Sequence, residues 1–336
     1  MSKIFPYYLY FFVLANSCTA NKSLPIERAL FPVAGEGKWW IVNSVVKDHE
    51  GKDIHFCALL GTESVSGKNY AGNIVSLWQE RDSSYYSGVH NASNIRFKNS
   101  YTFPVSLSGK DSSVYQWHWQ LNRNRLKLFA TIKNTSNPVA KPFRADVEAR
   151  FVKQLPFQVS MINAVPGTWT IKPLTAEISI TGGPQSKATG TLNLHIISGR
   201  SLLLGRAENS FVTWLDVSIE VGKHLGMLFR TDDNGNTIVE TAFFGEENAG
   251  VFYRSGVTVK TIVESRFTST VSKKKCPLIA TIHLPGENLS FTVTPRMQQQ
   301  EINDKRISFW MGAVELVEEG SGNRLGNGNM YIFKNK

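Results

Sequence analysis

Apolar and polar residues alternate along most of the chain. In the stretch GEGKWWIVNSVVKDHEGKDIHFCALLG (35–61), Trp39 and Trp40 stand side by side at the start of an alternating run, ahead of an acidic, glycine-containing turn. Adjacent residues of a strand point to opposite faces, so one indole is expected to face a core and the other to face away. In SVYQWHWQLNRNRLKLFATIKN (113–134), Tyr115, Trp117, Trp119 and Leu121 share one face, and Gln116, His118 and Gln120 share the other. The polar NRNR segment predicts a turn, after which Leu126, Leu128, Ala130 and Ile132 resume the alternation, as in a hairpin with one apolar face. In WLDVSIEVGKHLGMLFRTDDNGNTIVETAFFG (214–245), Leu215, Val217, Ile219 and Val221 alternate with Asp216, Ser218 and Glu220, and DDNGN supplies a turn. Asp216 is therefore expected on the polar strand face, away from the core. No long stretch shows a 3.6-residue period. The expected class is all-β and antiparallel, with sandwiches or up-and-down barrels as its usual forms.

With 336 residues the chain is long enough for one large or two medium domains. The pattern loosens over 155–183, around Pro166, Gly167 and Pro173. The expected division is a signal peptide over 1–20, an N-terminal domain over 21–165 and a C-terminal domain over 166–336. Trp40 and Trp214 each start an alternating strand that leads through a turn to a partner, a weak internal echo compatible with duplication.

The first twenty residues, MSKIFPYYLYFFVLANSCTA, have a short basic start, an aromatic-aliphatic stretch and small residues after it. That is the pattern of a secretory signal peptide, too short for a membrane span. Cleavage after Ala20 predicts a secreted or periplasmic protein. LANSC loosely resembles a lipobox, so lipidation of Cys18, with peripheral membrane association, is the alternative.

The chain is 42% hydrophobic and 19% charged, with a formal net charge of +10. Its one tight basic run is Lys273–Lys275, and without a concentrated basic element nucleic-acid binding is not expected. After signal cleavage Cys57 and Cys276 remain, either as one disulfide or as two buried thiols. The seven histidines are scattered, with no H-E-x-x-H or comparable spacing, so neither a metal nor a cofactor is expected.

Several segments together resemble one family. KWWIVNSVVKDHEGKDIHFCALLG is similar to the E-W-W-Y…D-x-x-G…F signature that opens the AttH and carotenoid-hydratase (hydroxyneurosporene synthase) lipocalin-like proteins. ATGTLNLHI resembles their V-S-G-T-L element, and WLDVSIEVGKHLGMLF their W-x-W-F-x-L-Q-L strand. CPLIATIHLPGENLSFTVTPRMQQQEI and SFWMGAVELVEEGSGNRLGNGNMYIF resemble their ending. Collinearity over most of the chain carries the resemblance, since each motif is short. It implies two lipocalin-like β-barrels in tandem, with Trp39, Trp40, Trp310 and Gly312 as structural signature residues. Relatives in that family include carotenoid hydratases, tocopherol cyclase, fungal pericyclases and secreted proteins of unknown activity.

The departures bear on activity. Lys38 stands where the first motif has Glu, and Met311 where the last motif has it. The family's W-x-D-x-E-W-G stretch reads LLGRAENSFV here, leaving Glu208 as its single acid and the one weak catalytic candidate. Hydration of an isolated alkene needs an acid able to protonate carbon and a base for water, and the matched positions do not supply that pair. No G-x-S-x-G elbow provides a serine nucleophile.

The function read from sequence is thus a secreted protein holding a hydrophobic small molecule or lipid, without hydratase activity. Tyr115, Trp117, Trp119 and Trp214 are its expected ligand-wall residues. One alternative is a hydratase, cyclase or pericyclase acting on an isoprenoid or polyketide-like substrate. Another is an envelope or surface interaction module.

Overall fold

The computed structural model of the chain describes residues 24–25, 37–65, 68–93, 105–110, 116–122, 124–135, 139–150, 158–159, 168–181, 187–199, 210–219, 222–246, 249–252, 256–262, 266–268, 273, 275–303 and 307–335. The expected signal segment over 1–20, Cys18, Tyr115, Glu208 and the 165/166 boundary lie outside them.

β1 (Leu24–Pro25) and β10 (Gln158–Val159) pair as a short ribbon. The first barrel is built from β2 (Gly37–Lys47), β3 (Asp53–Val65), β4 (Lys68–Gln79), β5 (Tyr85–Ser93), β6 (Val105–Lys110), β7 (Gln116–Leu121), β8 (Arg125–Asn134), β9 (Phe143–Arg150), β11 (Thr168–Thr181) and β12 (Ala188–Gly199). Their order is β5-β4-β3-β2-β12-β11-β9-β8-β7-β6, and pairing of β5 with β8 closes eight of them into a ring. The second sheet takes β13 (Ser210–Ile219), β14 (Lys223–Asp232), β15 (Thr237–Glu246), β16 (Ala249–Phe252) and β17 (Thr258–Thr261). A short ribbon of β18 (Phe267–Thr268) and β19 (Lys275–Cys276) follows. The sheet then gains β20 (Ala280–Leu284), β21 (Leu289–Pro295), β22 (Glu301–Asn303), β23 (Ile307–Glu318) and β24 (Arg324–Asn335). Its order, β16-β15-β14-β13-β24-β23-β21-β20-β17, follows that of the first barrel with no counterpart of β6 on this path, and the ring is nearly closed. Full closure removes the exposed edges that an open sheet leaves for aggregation.

The pairing corrects the expected domain division. β11 and β12 lie after residue 166 yet belong to the first barrel, where β12 pairs with β2 from Gly37↔Gly199 to Lys47↔Thr189. The described strands of the second barrel begin at Ser210. The loosened pattern over 155–183 includes one long strand, β11, whose register shifts between Ile171 and Leu174, so the proline and glycine signal marked an irregular strand.

Each barrel is filled by its own side chains. Trp40, Phe56, Trp117 and Trp119 are buried together in the first, and Phe211, Phe229, Phe291 and Trp310 in the second. A third cluster lies between the barrels, with Trp39, Ile41 and Leu59 of the first packed with Trp214, Met311, Tyr331 and Phe333 of the second. β2 and β13, which occupy equivalent places in the two sheets, both contribute to it. Cys57 and Cys276 are buried in different clusters.

Candidate active site

β13 is buried on both faces along its middle. Leu215 and Val217 point into the second barrel, while Trp214 lies in the cluster between the barrels and Asp216 meets side chains of the first. Asp216 lies on the strand face opposite Leu215 and Val217, as expected, yet is only 3% exposed. The reason is that the outer face of β13 is covered by the neighbouring barrel, so polar alternation along this strand does not report solvent.

Four side chains converge on the Asp216 carboxylate. Asn43, on β2, donates from Nδ2 to Oδ2 at 2.5 Å, and Asn193, on β12, donates to Oδ1 at 3.4 Å. His195 follows Asn193 by two residues on the same face of β12, and its Nε2 lies 2.6 Å from Asp216 Oδ2. His224 comes from β14: Asp216 pairs with Gly226 and Ser218 with His224, so the imidazole is a diagonal neighbour and its Nε2 stands 2.9 Å from Oδ1. Gly226 presents no side chain here, and the Trp214 indole and the His195 ring lie over its backbone. The Tyr331 hydroxyl donates to the Val42 carbonyl at 3.1 Å and to Asn43 Oδ1, which fixes the amide so that its NH2 faces the carboxylate.

The electrostatics follow from burial. A lone carboxylate removed from water is strongly disfavoured. Burial acts to raise the Asp216 carboxyl, but the charges of His195 and His224 beside it outweigh that and hold it well below the usual carboxylate range. Asp216 is therefore an anion. Both imidazole nitrogens stand within ion-pairing distance of the carboxylate, in contacts that fall short of a well-aligned hydrogen bond. His195 Nδ1 and Trp214 Nε1 are buried and unpartnered. The two imidazoles are nearly parallel, at 10° with centroids 6.1 Å apart, and the Trp214 ring lies 5.1 Å from His195. His224 is the member that reaches solvent, with its side chain 13% exposed against 2% for the other two.

The residues singled out in the sequence are placed elsewhere. Trp117 and Trp119 fill the first barrel, where Trp119 Nε1 donates to Asn73 Oδ1 at 2.9 Å and its ring meets Trp40 edge-on at 6.1 Å. Trp214 alone of that set lies at the cluster, so the described members of the expected ligand wall are not brought together. Trp310 anchors the second barrel, donating from Nε1 to the Gln298 carbonyl at 2.7 Å. Met311 is buried between the barrels, and Lys38 pairs through its backbone with Ser198 and Thr62. His195 and His224 escaped the sequence reading because their spacing in the chain matches no compact motif. A usable signal was present in Trp39 and Ile41, which are apolar on the outer side of β2 and show that this side is covered.

No protein-family profile matches the chain, and no curated protein sequence does. Solved structures do. A Nitrosomonas europaea protein described as AttH (NE1406) aligns over 88% of this chain and 92% of its own at a TM-score of 0.65 and 15% identity. Kievitone hydratase from Nectria haematococca aligns over 95% of both chains at a TM-score of 0.62 and 12% identity. The chain has the fold of the AttH and hydratase proteins, two lipocalin-like barrels in tandem.

Proposed function

We propose that the protein is an enzyme that adds water, or a hydroxyl of the substrate itself, across a carbonyl-conjugated double bond of a hydrophobic small molecule. The observation that carries this reading is the Asp216 carboxylate set between His195 Nε2 and His224 Nε2, beside the Trp214 indole, in the seam between the barrels. The packed barrel interiors favour the seam over either barrel as the place for a ligand, and the edge at His224 and Phe243 is its way in. The ligand class read from sequence is retained, while the buried acid–base cluster favours catalysis over carriage. The fold shared with a hydratase supports the reaction class by analogy alone.

The acid strength of the cluster selects the substrate. Imidazolium is too weak an acid to protonate an isolated alkene, which keeps hydration of acyclic carotenoids outside this reading. It suffices for the carbon beside a carbonyl once a nucleophile has added to the far end of the double bond. One imidazolium gives its proton to that carbon, and the other imidazole takes the proton from the attacking water or hydroxyl. His224, at the solvent edge, restores the balance between them. Asp216 stays ionised, stabilising whichever ring is charged, and such positioned proton transfer contributes about 10²–10⁴-fold. Residues 1–20 support export of the mature protein, or lipidation at Cys18.

The test is a panel of apolar enones in D2O. Deuterium should appear at the carbon next to the carbonyl, and His224→Gln should abolish turnover without moving the urea midpoint. Tight quenching of tryptophan emission by apolar ligands, with no turnover of any enone, would instead establish the carrier.

A further inference from the structure

We infer that His195 Nε2, His224 Nε2 and the Asp216 carboxylate form a binding site for one divalent transition-metal cation of the zinc class. This deepens the functional reading and rests on its placement of an accessible site at the His224 edge. It adds that a cation and a proton compete for the same lone pairs.

Two independent observations support it. The first is convergence: the ligand atoms of these three residues all lie within 4.8 Å of one another, although they come from three strands and two barrels. The second is that both Nε2 atoms are buried against carboxylate oxygens, at 2.6 and 2.9 Å, in contacts that fall short of well-aligned hydrogen bonds. Buried polar atoms are nearly always hydrogen-bonded, and an imidazole nitrogen beside an anion without a well-aligned N–H contact fits a lone pair offered to a shared cation.

The donor set selects the cation. Two imidazoles with one carboxylate suit zinc, nickel, copper or ferrous iron, whereas calcium and magnesium prefer all-oxygen sites. Three protein ligands leave at least one position open, the usual arrangement for a zinc ion that meets a small molecule. The supporting shell is partly built: Asn43 and Asn193 hold the carboxylate, and Tyr331 holds Asn43. Bound cation would occupy the nitrogens that the proposed reaction uses, so zinc would act as a reversible inhibitor of acid–base turnover.

The experiment is equilibrium dialysis of the full chain against Zn2+, with metal per chain read by elemental mass spectrometry. The expected result is one zinc per chain with a dissociation constant in the micromolar range or tighter, and no comparable uptake of Mg2+. His224→Gln should weaken binding more than about 100-fold, since changes to supporting residues alone cost about 10–100-fold. Asn43→Ala should fall within that smaller range. His283→Gln, at an exposed histidine, should leave uptake unchanged. Circular dichroism and the urea midpoint establish that each variant is folded, and Co2+ absorption of the wild type reports imidazole ligation without any mutation. Absence of stoichiometric zinc in wild type overturns the inference, as does zinc uptake that folded His224→Gln retains. Enone turnover is scored separately in chelator-treated protein, so failure of metal binding and failure of the catalytic reading remain distinct results.

Discussion

Trp39 and Trp40 are neighbours in the chain and belong to different cores. The Trp40 ring sits inside the first barrel, 6.1 Å from Trp119, while the Trp39 ring lies 4.9 Å from Phe333 of the second barrel. The strand's two-residue period places one indole in each environment. Trp40→Ala should cost about 3–5 kcal/mol, the usual range for a buried large aromatic, and lower the urea midpoint of the first barrel. Trp39→Ala should separate the melting of the two barrels, seen as a broadened or two-step transition. Unchanged melts for both variants would contradict these placements.

Gly312 is needed for a different reason. A Cβ added there would stand 2.0 Å from Gln300 Oε1, and Gln300 is fully buried. That oxygen accepts from the Ala313 amide at 3.0 Å, and Nε2 donates to the Met297 carbonyl at 2.7 Å. Gly312→Ala should expel the amide and strand both backbone groups, destabilising the fold by at least about 2 kcal/mol. Adding Gln300→Ala should give a double variant less damaged than the sum of the two single changes, and strict additivity would refute the clash.

His55 provides a stability change with pH. It is fully buried on β3, with Nδ1 3.0 Å from the Gly328 carbonyl and 3.1 Å from Asn329 Oδ1, and its ring meets Trp78. Burial pulls its pKa down to about 4; Asp53 acts to raise it and Arg296 to lower it. The unfolded chain takes up the proton near pH 6.5, whereas the folded chain does so near 4. Between those values the unfolded state binds more protons, so stability falls as pH is lowered through that window. The contribution is on the order of 3 kcal/mol. His55→Gln should flatten the slope of stability against pH from 6.5 to 4, and an unchanged slope would count against the assignment.

Cys57 should be inert in the native protein. Burial pushes its thiol up to about 12, so thiolate is scarce near neutral pH. Alkylation at pH 8 should wait for denaturant, and rapid native labelling at this residue would show that the seam opens.

Strand class and the barrel interiors were legible in the sequence because they obey local rules. The alternation from Trp117 to Leu121 and from Leu126 to Ile132 reports the real interior of the first barrel. Collinear motifs carried the tandem arrangement. The active-site candidate was not legible, because it is made where two outer strand faces meet. His195 belongs to the first barrel, Asp216 and His224 to the second, and the packing of one barrel on the other is encoded in no single segment. The same blindness moved the domain division, since β12 joins the first barrel through pairing with residues some 150 positions earlier.

That long-range pairing has a consequence for synthesis on the ribosome. β2 lies between β3 and β12, so the first ring waits for Gly199 to emerge before its gap is filled. The second waits for β24: β13 pairs with it, Val212 opposite Phe333. Until then each nascent half displays an unpaired strand beside apolar faces, the condition under which partly made β proteins stick to one another. A chain stopped before Arg324 would lose a central strand of the second sheet together with Tyr331, and the protein's vulnerable interval during biogenesis lasts until Arg324–Asn335 has been made.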